Sequence, residues 1–369
     1  MEMTTNTDLK FVDSASLQGF VENVFLALEV PLDDARIAAH VLVDADLTGR
    51  YTHGVSRLPL YASRLVRGVM KARPNLGFES GPFPAMTRLN GDNGLGPVVA
   101  WRAMERSIGL AEQFGMGVVA VRLSNHAGSL SAYCEAAAER GFILMALTNS
   151  PPGMPPYGGK KAFLGTNPIA FGLPRGSDLP PIVVDLATSV VARGNIIQAA
   201  RLGEPIPEGW AIDENGHKTT DAEAALRGAV LPMAGSKGYA LALVVEIFSG
   251  ILSGAGVGPG VKNPYTDFSG PPNVGHFFWA LNPTGFGPSE VLSDALLELE
   301  SDIRQVPAMA GESIRLPGER SERKRRDSLR YGIPLDVDLL NNLGALANEL
   351  GVDPLVTHRG GFDAGDTHV

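Results

Sequence analysis

Seven histidines occur in the chain, and two of them stand where imidazole chemistry is useful. His53 lies in Thr52-His53-Gly54, with Arg57 four residues on and Tyr61 four beyond that. At this spacing Arg57 and Tyr61 share a helical face. A guanidinium beside an imidazole suits a 2-oxo carboxylate, because the fork grips the carboxylate while the histidine gives a proton to the carbonyl. A capping histidine next to a surface arginine is the plainer alternative. His126 lies in Ser124-Asn125-His126-Ala127-Gly128-Ser129, just past the β-branched run Val118–Leu123 and before a helical stretch. Strand ends that lead into helices are where α/β proteins place sites, since a helix N-terminus attracts anions. A turn histidine satisfied by backbone groups is the alternative there.

Three further segments carry polar groups in suggestive positions. Gly165-Thr166-Asn167-Pro168 is a polar turn entering an apolar run. Asp185 ends the run Ile182-Val183-Val184 and precedes Leu186-Ala187-Thr188-Ser189; it can meet a ribose hydroxyl or cap a helix. Gly235-Ser236-Lys237-Gly238 sets a lysine between glycines ahead of a long apolar segment, in the manner of a phosphate cradle. The one cysteine, Cys134, reads as a small buried hydrophobe rather than a nucleophile. The G-x-G-x-x-G fingerprint is missing: Gly94-Leu95-Gly96 follows no convincing strand, and Pro259 interrupts Gly254-Ala255-Gly256-Val257-Gly258. There is no Walker A loop, no H-E-x-x-H or Cys/His cluster to hold a metal, and no G-x-S-x-G elbow, so metal and hydrolase chemistry lack support.

The elements that must position these residues follow from periodicity. Asp13 or Ser14 caps a helix with Leu17, Phe20, Val21, Val24, Phe25 and Leu28 on one face, which Pro31 ends. A second helix runs from about Asp33 to Gly49 and a third over 58–66, so the first ~70 residues are predicted to be helical throughout. Strands are predicted over 118–123, 142–148, 168–173, 181–186 and 276–281, with helices over 130–140 and 289–303. The tail returns to helix over 319–330 and 337–349. Tyr239–Leu252 contains Glu246 and is too short for a membrane span; it reads as a buried helix.

Composition sets the outer bounds. A chain of 369 residues with 44% hydrophobic residues can bury a large core, and 44 glycines with 27 prolines imply many turns rather than disorder. A net charge of −9 excludes nucleic acid as a general partner. A single thiol and an N-terminus lacking basic and apolar leader regions lead to the expectation of a cytoplasmic protein with no membrane association.

Taken in order, these segments resemble the malate/L-lactate dehydrogenase type 2 family of NAD(P)-dependent oxidoreductases. The resemblance rests on Thr52–Gly54 with Arg57 and Tyr61, Ser124–Gly128, Thr148–Ser150, Gly165–Phe171, Val184–Ser189, Gly235–Leu241 and Arg315–Arg320, and it spans about residues 10 to 350. Where the family usually has serine before the first histidine, this chain has Thr52, which keeps the hydroxyl and adds a methyl. The resemblance implies an α/β fold: a non-Rossmann nucleotide-binding α/β domain (76–315) and a helical domain built from both chain termini (1–75 with 316–369). It implies His126 and His53 as acid/base candidates, Arg57 and Tyr61 as substrate contacts, and a homodimer. Ser150, Asp185, Leu186, Ala187, Ser236, Lys237, Gly318, Glu319 and Arg320 are implied as cofactor contacts. The expected reaction interconverts a small 2-oxo carboxylate and its 2-hydroxy acid; reduction of a cyclic 2-imino acid, or nucleotide binding without catalysis, are the alternatives. The basic run Arg320–Arg326 inclines the cofactor expectation towards NADPH over NADH, since arginines suit a 2′-phosphate.

Overall fold

The computed structural model describes residues 9–176 and 179–357; residues 1–8, on which the leader argument mainly rests, lie outside them. Along the chain run β1 (Leu9–Val12), α1 (Ser14–Ala27), α2 (Leu32–Leu47), α3 (Leu58–Val66), β2 (Gly77–Ser80), β3 (Met86–Asn90), α4 (Gly96–Phe114), β4 (Met116–Ser124), α5 (Ser131–Glu139), β5 (Ile143–Thr148), β6 (Ile169–Leu173) and β7 (Ile182–Leu186). There follow α6 (Arg193–Leu202), β8 (Ala211–Ile212), β9 (Lys218–Thr219), α7 (Ala222–Arg227), β10 (Ala229–Val230), α8 (Ser236–Glu246), β11 (Val274–Leu281), α9 (Ser289–Gln305), α10 (Glu319–Tyr331), β12 (Ile333–Asp336) and α11 (Val337–Leu350). The chain forms two compact units, one from residues up to Gly68 together with those from Gly318 on, the other Val69–Pro317.

The first unit is mainly helical. Asp13 caps α1 by accepting the Ser16 N–H at 2.9 Å, and Leu17, Phe20, Val21, Val24 and Phe25 turn inward. The expectation of helix throughout the first ~70 residues fails at one place: β1 pairs antiparallel with β12, Leu9 opposite Asp336 and Val12 opposite Ile333. Phe11 and Val12 are buried by this pairing, whose partner lies more than 300 residues away, beyond the reach of local periodicity. Arg325 of α10 reaches the buried Asp44 of α2 at 2.8 Å, joining the two ends of the chain a second time.

The second unit is built on a seven-stranded mixed sheet in the order β2-β3-β4-β11-β5-β6-β7. Only β3 and β4 pair in parallel; the other neighbours are antiparallel. One face packs under α4 and α5, with Tyr133 of α5 edge-on to Phe278 of β11. The nineteen-residue α4 was not anticipated, because its first residues were read only as a failed nucleotide fingerprint. The opposite face carries Val118, Leu147 and Phe277 against Val245 and Phe248. A small lobe of β8, β9 and β10 with α6 and α7 closes over its own core of Ile196, Ala211 and Val230.

The segment expected as a buried helix behaves differently. It opens as α8 and continues over Ile247–Leu252 as π-helix, and Leu241, Val244, Ile251 and Leu252 are exposed. Buried positions in α8 are few: Gly238, Ala242, Val245 and Glu246. Hydropathy reports transfer preference, not where the neighbouring layer ends, so an apolar stripe can be left uncovered within one chain. No described helix is long and apolar enough to cross a membrane, and no described cluster of His, Cys, Asp and Glu could hold a metal.

Candidate active site

In the first unit the chain leaves α2 through a left-handed Gly49, makes a short 3₁₀ turn over Tyr51–His53 and a second over Val55–Arg57, and enters α3. Thr52 Oγ1 lies 3.0 Å from His53 Nδ1, so the hydroxyl that stands before the histidine orients its ring. The Arg57 Nε donates to the Thr52 carbonyl at 2.5 Å, which folds the guanidinium back over the turn. Burial lowers the Arg57 pKa from its ordinary value, with Tyr61 pulling the other way; an arginine remains charged there. Tyr61 is buried in α3.

Beneath this turn sits a residue that motif reading overlooked. Asp46 of α2 is buried, accepts the Val55 N–H at 2.7 Å, and lies against Gly54 so closely that a Cβ there would overlap its carboxyl. A buried acid three residues before the helix stop gave no signal by spacing alone. Its contact with Val55 arises only when the chain doubles back.

In the second unit β4 delivers His126. Leu123, at the end of that strand, has φ +52, a left-handed value that a leucine adopts only when its surroundings impose it. Asn273 Oδ1 holds the Leu123 N–H at 3.1 Å, and the Leu123 carbonyl accepts from the Asn93 N–H at 2.8 Å. Asn125 is buried and donates to the Asn93 side chain and the Gly94 carbonyl. The N-terminus of α4 meets this segment so closely that a Cβ on Gly96 would overlap the His126 carbonyl, which explains the glycines that resemble a nucleotide loop. His126 Nδ1 accepts the Gly128 N–H at 3.3 Å. A neutral imidazole has one donor nitrogen, so in the neutral ring this bond leaves the N–H on Nε2, where it can donate a hydrogen bond.

The segments around His126 interlock. Asp185, at the end of β7, accepts from Ser129 Oγ at 2.8 Å and from the Ser131 N–H at 3.0 Å, and so caps α5 just beyond the histidine. Ser150 Oγ accepts the Thr166 N–H at 3.1 Å, and its own N–H donates to Asn167 Oδ1 at 3.2 Å. Thr188, next to Ala187, donates to the Thr166 and Asn167 carbonyls. Asn167 in turn donates to the buried Glu246 of α8 at 2.6 Å, and the Gly258 N–H donates to the same carboxylate at 2.7 Å. Thus Ser150, Thr166, Asn167, Thr188 and Glu246 form one connected polar network, while Asp185 is tied to Ser129 and Ser131; Leu186 is exposed. Cys134 is buried, and burial with the nearby Asp185 charge pushes its thiol up, as a small core residue requires.

Ser236 and Lys237 open α8 after Gly235, which has φ +63, and both are exposed with no side-chain cap over the first turn. The Lys237 and Gly238 N–H groups already donate to the Ala234 and Met233 carbonyls, so the groups there that suit a phosphate are the exposed Ser236 hydroxyl and the Lys237 ammonium. Gly318, Glu319 and Arg320 open α10 in the first unit, Gly318 with φ +95 and Arg320 exposed. Of the basic run, Arg325 is committed to Asp44, and Lys324 lays its stem against Gly49.

In the first unit one turn thus holds His53 and Arg57 together, and in the second His126 lies beside the segment that Asp185 caps. The chain belongs to the malate/L-lactate dehydrogenase family, whose profile matches residues 12–344. It is 41% identical to the L-sulfolactate dehydrogenase of Methanocaldococcus jannaschii over 330 residues, covering 88% of this chain and 92% of the relative. The (2R)-3-sulfolactate dehydrogenase (NADP(+)) of Chromohalobacter salexigens is 39% identical, over 82% of this chain and 87% of the relative. The ureidoglycolate dehydrogenase (NAD(+)) of Escherichia coli is 33% identical, over 90% and 94%. Among solved structures, the M. jannaschii sulfolactate dehydrogenase superposes with a TM-score of 0.87 at 38% identity, covering 93% of this chain and 98% of that one. The malate dehydrogenase of Pyrococcus horikoshii gives 0.86 at 34% identity, over 96% and 100%. The Δ1-piperideine-2-carboxylate reductase of Pseudomonas syringae gives 0.80 at 30%, over 91% and 99%.

Proposed function

We propose that the protein interconverts a small 2-oxo carboxylate and its 2-hydroxy acid, drawing on a nicotinamide cofactor. The observation that carries this reading is the Gly128 N–H on His126 Nδ1, which in the neutral ring leaves Nε2–H to donate to and polarise a substrate carbonyl. A nicotinamide held there would supply the hydride that C2 takes up in the reducing direction. His126 Nε2–H would polarise the carbonyl oxygen and relay to it the one proton the product needs, taken up from solvent, while Arg57 would hold the carboxylate. His53 is the second acid/base candidate, and Tyr61 stays with Arg57 as a substrate contact. This is chemistry on a C–OH/C=O pair. Reduction of a cyclic 2-imino acid is the second reading, favoured by the likeness to the P. syringae reductase.

Ser236 and Lys237 serve the cofactor phosphates, and Ser150, Leu186 and Ala187 line its approach. For the adenosine end the reading keeps NADPH ahead of NADH. Arg320 is exposed at the start of α10, while one oxygen of Asp185, the carboxylate that would oppose a 2′-phosphate, is already engaged by Ser129 and Ser131. A homodimer is supported by the uncovered apolar stripe of Leu241, Val244, Ile251 and Leu252 together with the exposed Trp279. A cytoplasmic location is supported by the single buried cysteine.

The test is consumption of NADPH and NADH against a panel of 2-oxo acids and cyclic imines. Turnover with a 2-oxo acid supports the first reading and turnover with imines alone supports the second. Saturable nucleotide binding without any turnover leaves a nucleotide-binding protein that is not an enzyme.

A further inference from the structure

His276 lies in β11, the central strand of the sheet, between β4 and β5. It is fully buried. One ring nitrogen, Nε2, is 2.8 Å from Ser124 Oγ at the end of β4; the other, Nδ1, is 2.8 Å from Thr148 Oγ1 at the end of β5. Ser124 stands two residues before His126, and Thr148 two residues before Ser150. The ring therefore spans the two strand ends from which the acid/base segment and the Ser150 segment depart.

The geometry around it is built for that span. The register of β11 on β4 slips beside His276, between Val274 and His276, opposite the left-handed Leu123. Irregularities of this kind re-aim the chain next to active sites. Without the slip, β4 would continue its alternation and Ser124 would fall out of register with the ring. On the β5 side, Asn149 accepts the Gly275 N–H at 2.9 Å and donates its own N–H to the Gly275 carbonyl, so the residue before Ser150 is locked to the residue before His276. Burial, opposed by the Asn125 backbone, takes the His276 pKa down to about 3, so the ring stays neutral with one donor and one acceptor nitrogen. Hydroxyls can answer either role, which is why serine and threonine suit the two flanks. A purely packing role would be met as well by Phe, whose neighbours in this strand are Phe277 and Phe278.

Resting on the proposed function, we infer that His276 is a positioning residue which, through Ser124 and Thr148, fixes the His126 segment and the Ser150 segment in one register.

The test compares His276→Phe, His276→Gln, Ser124→Ala and Thr148→Val in the full-length protein. The readouts are kcat, KM, the dissociation constant for NADPH by fluorescence, and the His126 imidazole titration by NMR, with His126→Gln to assign its signal. Ser124→Ala is expected to lower kcat at least tenfold and shift the His126 titration while nucleotide affinity holds. Thr148→Val is expected to weaken nucleotide binding several-fold with the His126 titration unchanged. His276→Phe should do both, and His276→Gln, which keeps a donor and an acceptor, should recover part of each. If His276→Phe lowers the melting temperature but leaves kcat, the NADPH dissociation constant and the His126 titration at wild-type values, the inference is overturned. The NMR and nucleotide-binding arms do not require turnover. A wild type inactive on every substrate would therefore strike the proposed function and leave these arms to decide on His276.

Discussion

Asp46 offers a prediction whose size follows from its setting. It is 1% exposed. Burial lifts its pKa from 3.8 to about 8, against the pull of the Val55 N–H, and the neighbouring Asp44 charge adds to the rise. In the unfolded chain the same carboxyl ionises near 3.8. Between those values the folded state holds one proton more than the unfolded state, so stability falls as pH rises and levels off above the folded pKa. One pKa unit is worth about 1.4 kcal/mol, so moving from pH 5 to pH 7 should cost about 3 kcal/mol through this group. Asp46→Asn keeps an oxygen for the Val55 N–H and removes the ionisation. Equilibrium urea unfolding of wild type and variant at pH 5 and pH 7 isolates the effect, because every other titrating group is common to both. The variant should gain on the wild type by about 3 kcal/mol across that interval. A difference that stays flat, or narrows, would show that Asp46 is ionised in the folded protein and would refute the burial argument.

Other expectations follow from the same contacts. His126→Ala should lower kcat by roughly 10²–10⁴, the range for a general acid, while NADPH still binds; near-normal kcat would move the role to His53. Arg57→Lys should lower kcat/KM for the carboxylate substrate, because an ammonium cannot reproduce the fork, and unchanged kinetics would remove Arg57 from substrate binding. Arg320→Ala should shift the NADPH/NADH ratio of kcat/KM towards NADH, and an unchanged ratio reverses the NADPH preference. Arg325→Met should leave that ratio alone and destabilise the fold by about 3 kcal/mol, since it strands the buried Asp44; a wild-type unfolding midpoint would contradict that assignment.

Much of the fold is legible in the residue pattern. The spacing of Leu17, Phe20, Val21, Val24 and Phe25 marks α1, and α3 occupies the predicted 58–66. Apolar runs mark β5, β6, β7 and β11 to within two residues. These elements succeed because their signals are local: a helix face or strand run is written within a dozen residues. The same holds for the motif residues His53, Arg57, His126, Ser150, Asp185 and Lys237, whose types and order carry the family.

What the residue pattern could not supply is everything set by partners distant in the chain. β1 exists because Ile333–Asp336 lies alongside it, and α8 leaves Leu241 and Val244 exposed while it buries Val245 and Glu246. Asp185 can cap a helix or meet a ribose as far as its neighbours in sequence tell. Its contacts with Ser129 and Ser131, more than 50 residues away, decide that one of its oxygens serves α5. His276, Asp46 and Glu246 gave no motif at all, since each is an ordinary polar residue inside an apolar segment. Residue type and order thus determined which chemistry the chain carries. Tertiary structure decided which polar groups are buried and what they hold in place, because the cost of burying a polar group, and the hydrogen bond that offsets it, exist only once distant segments meet.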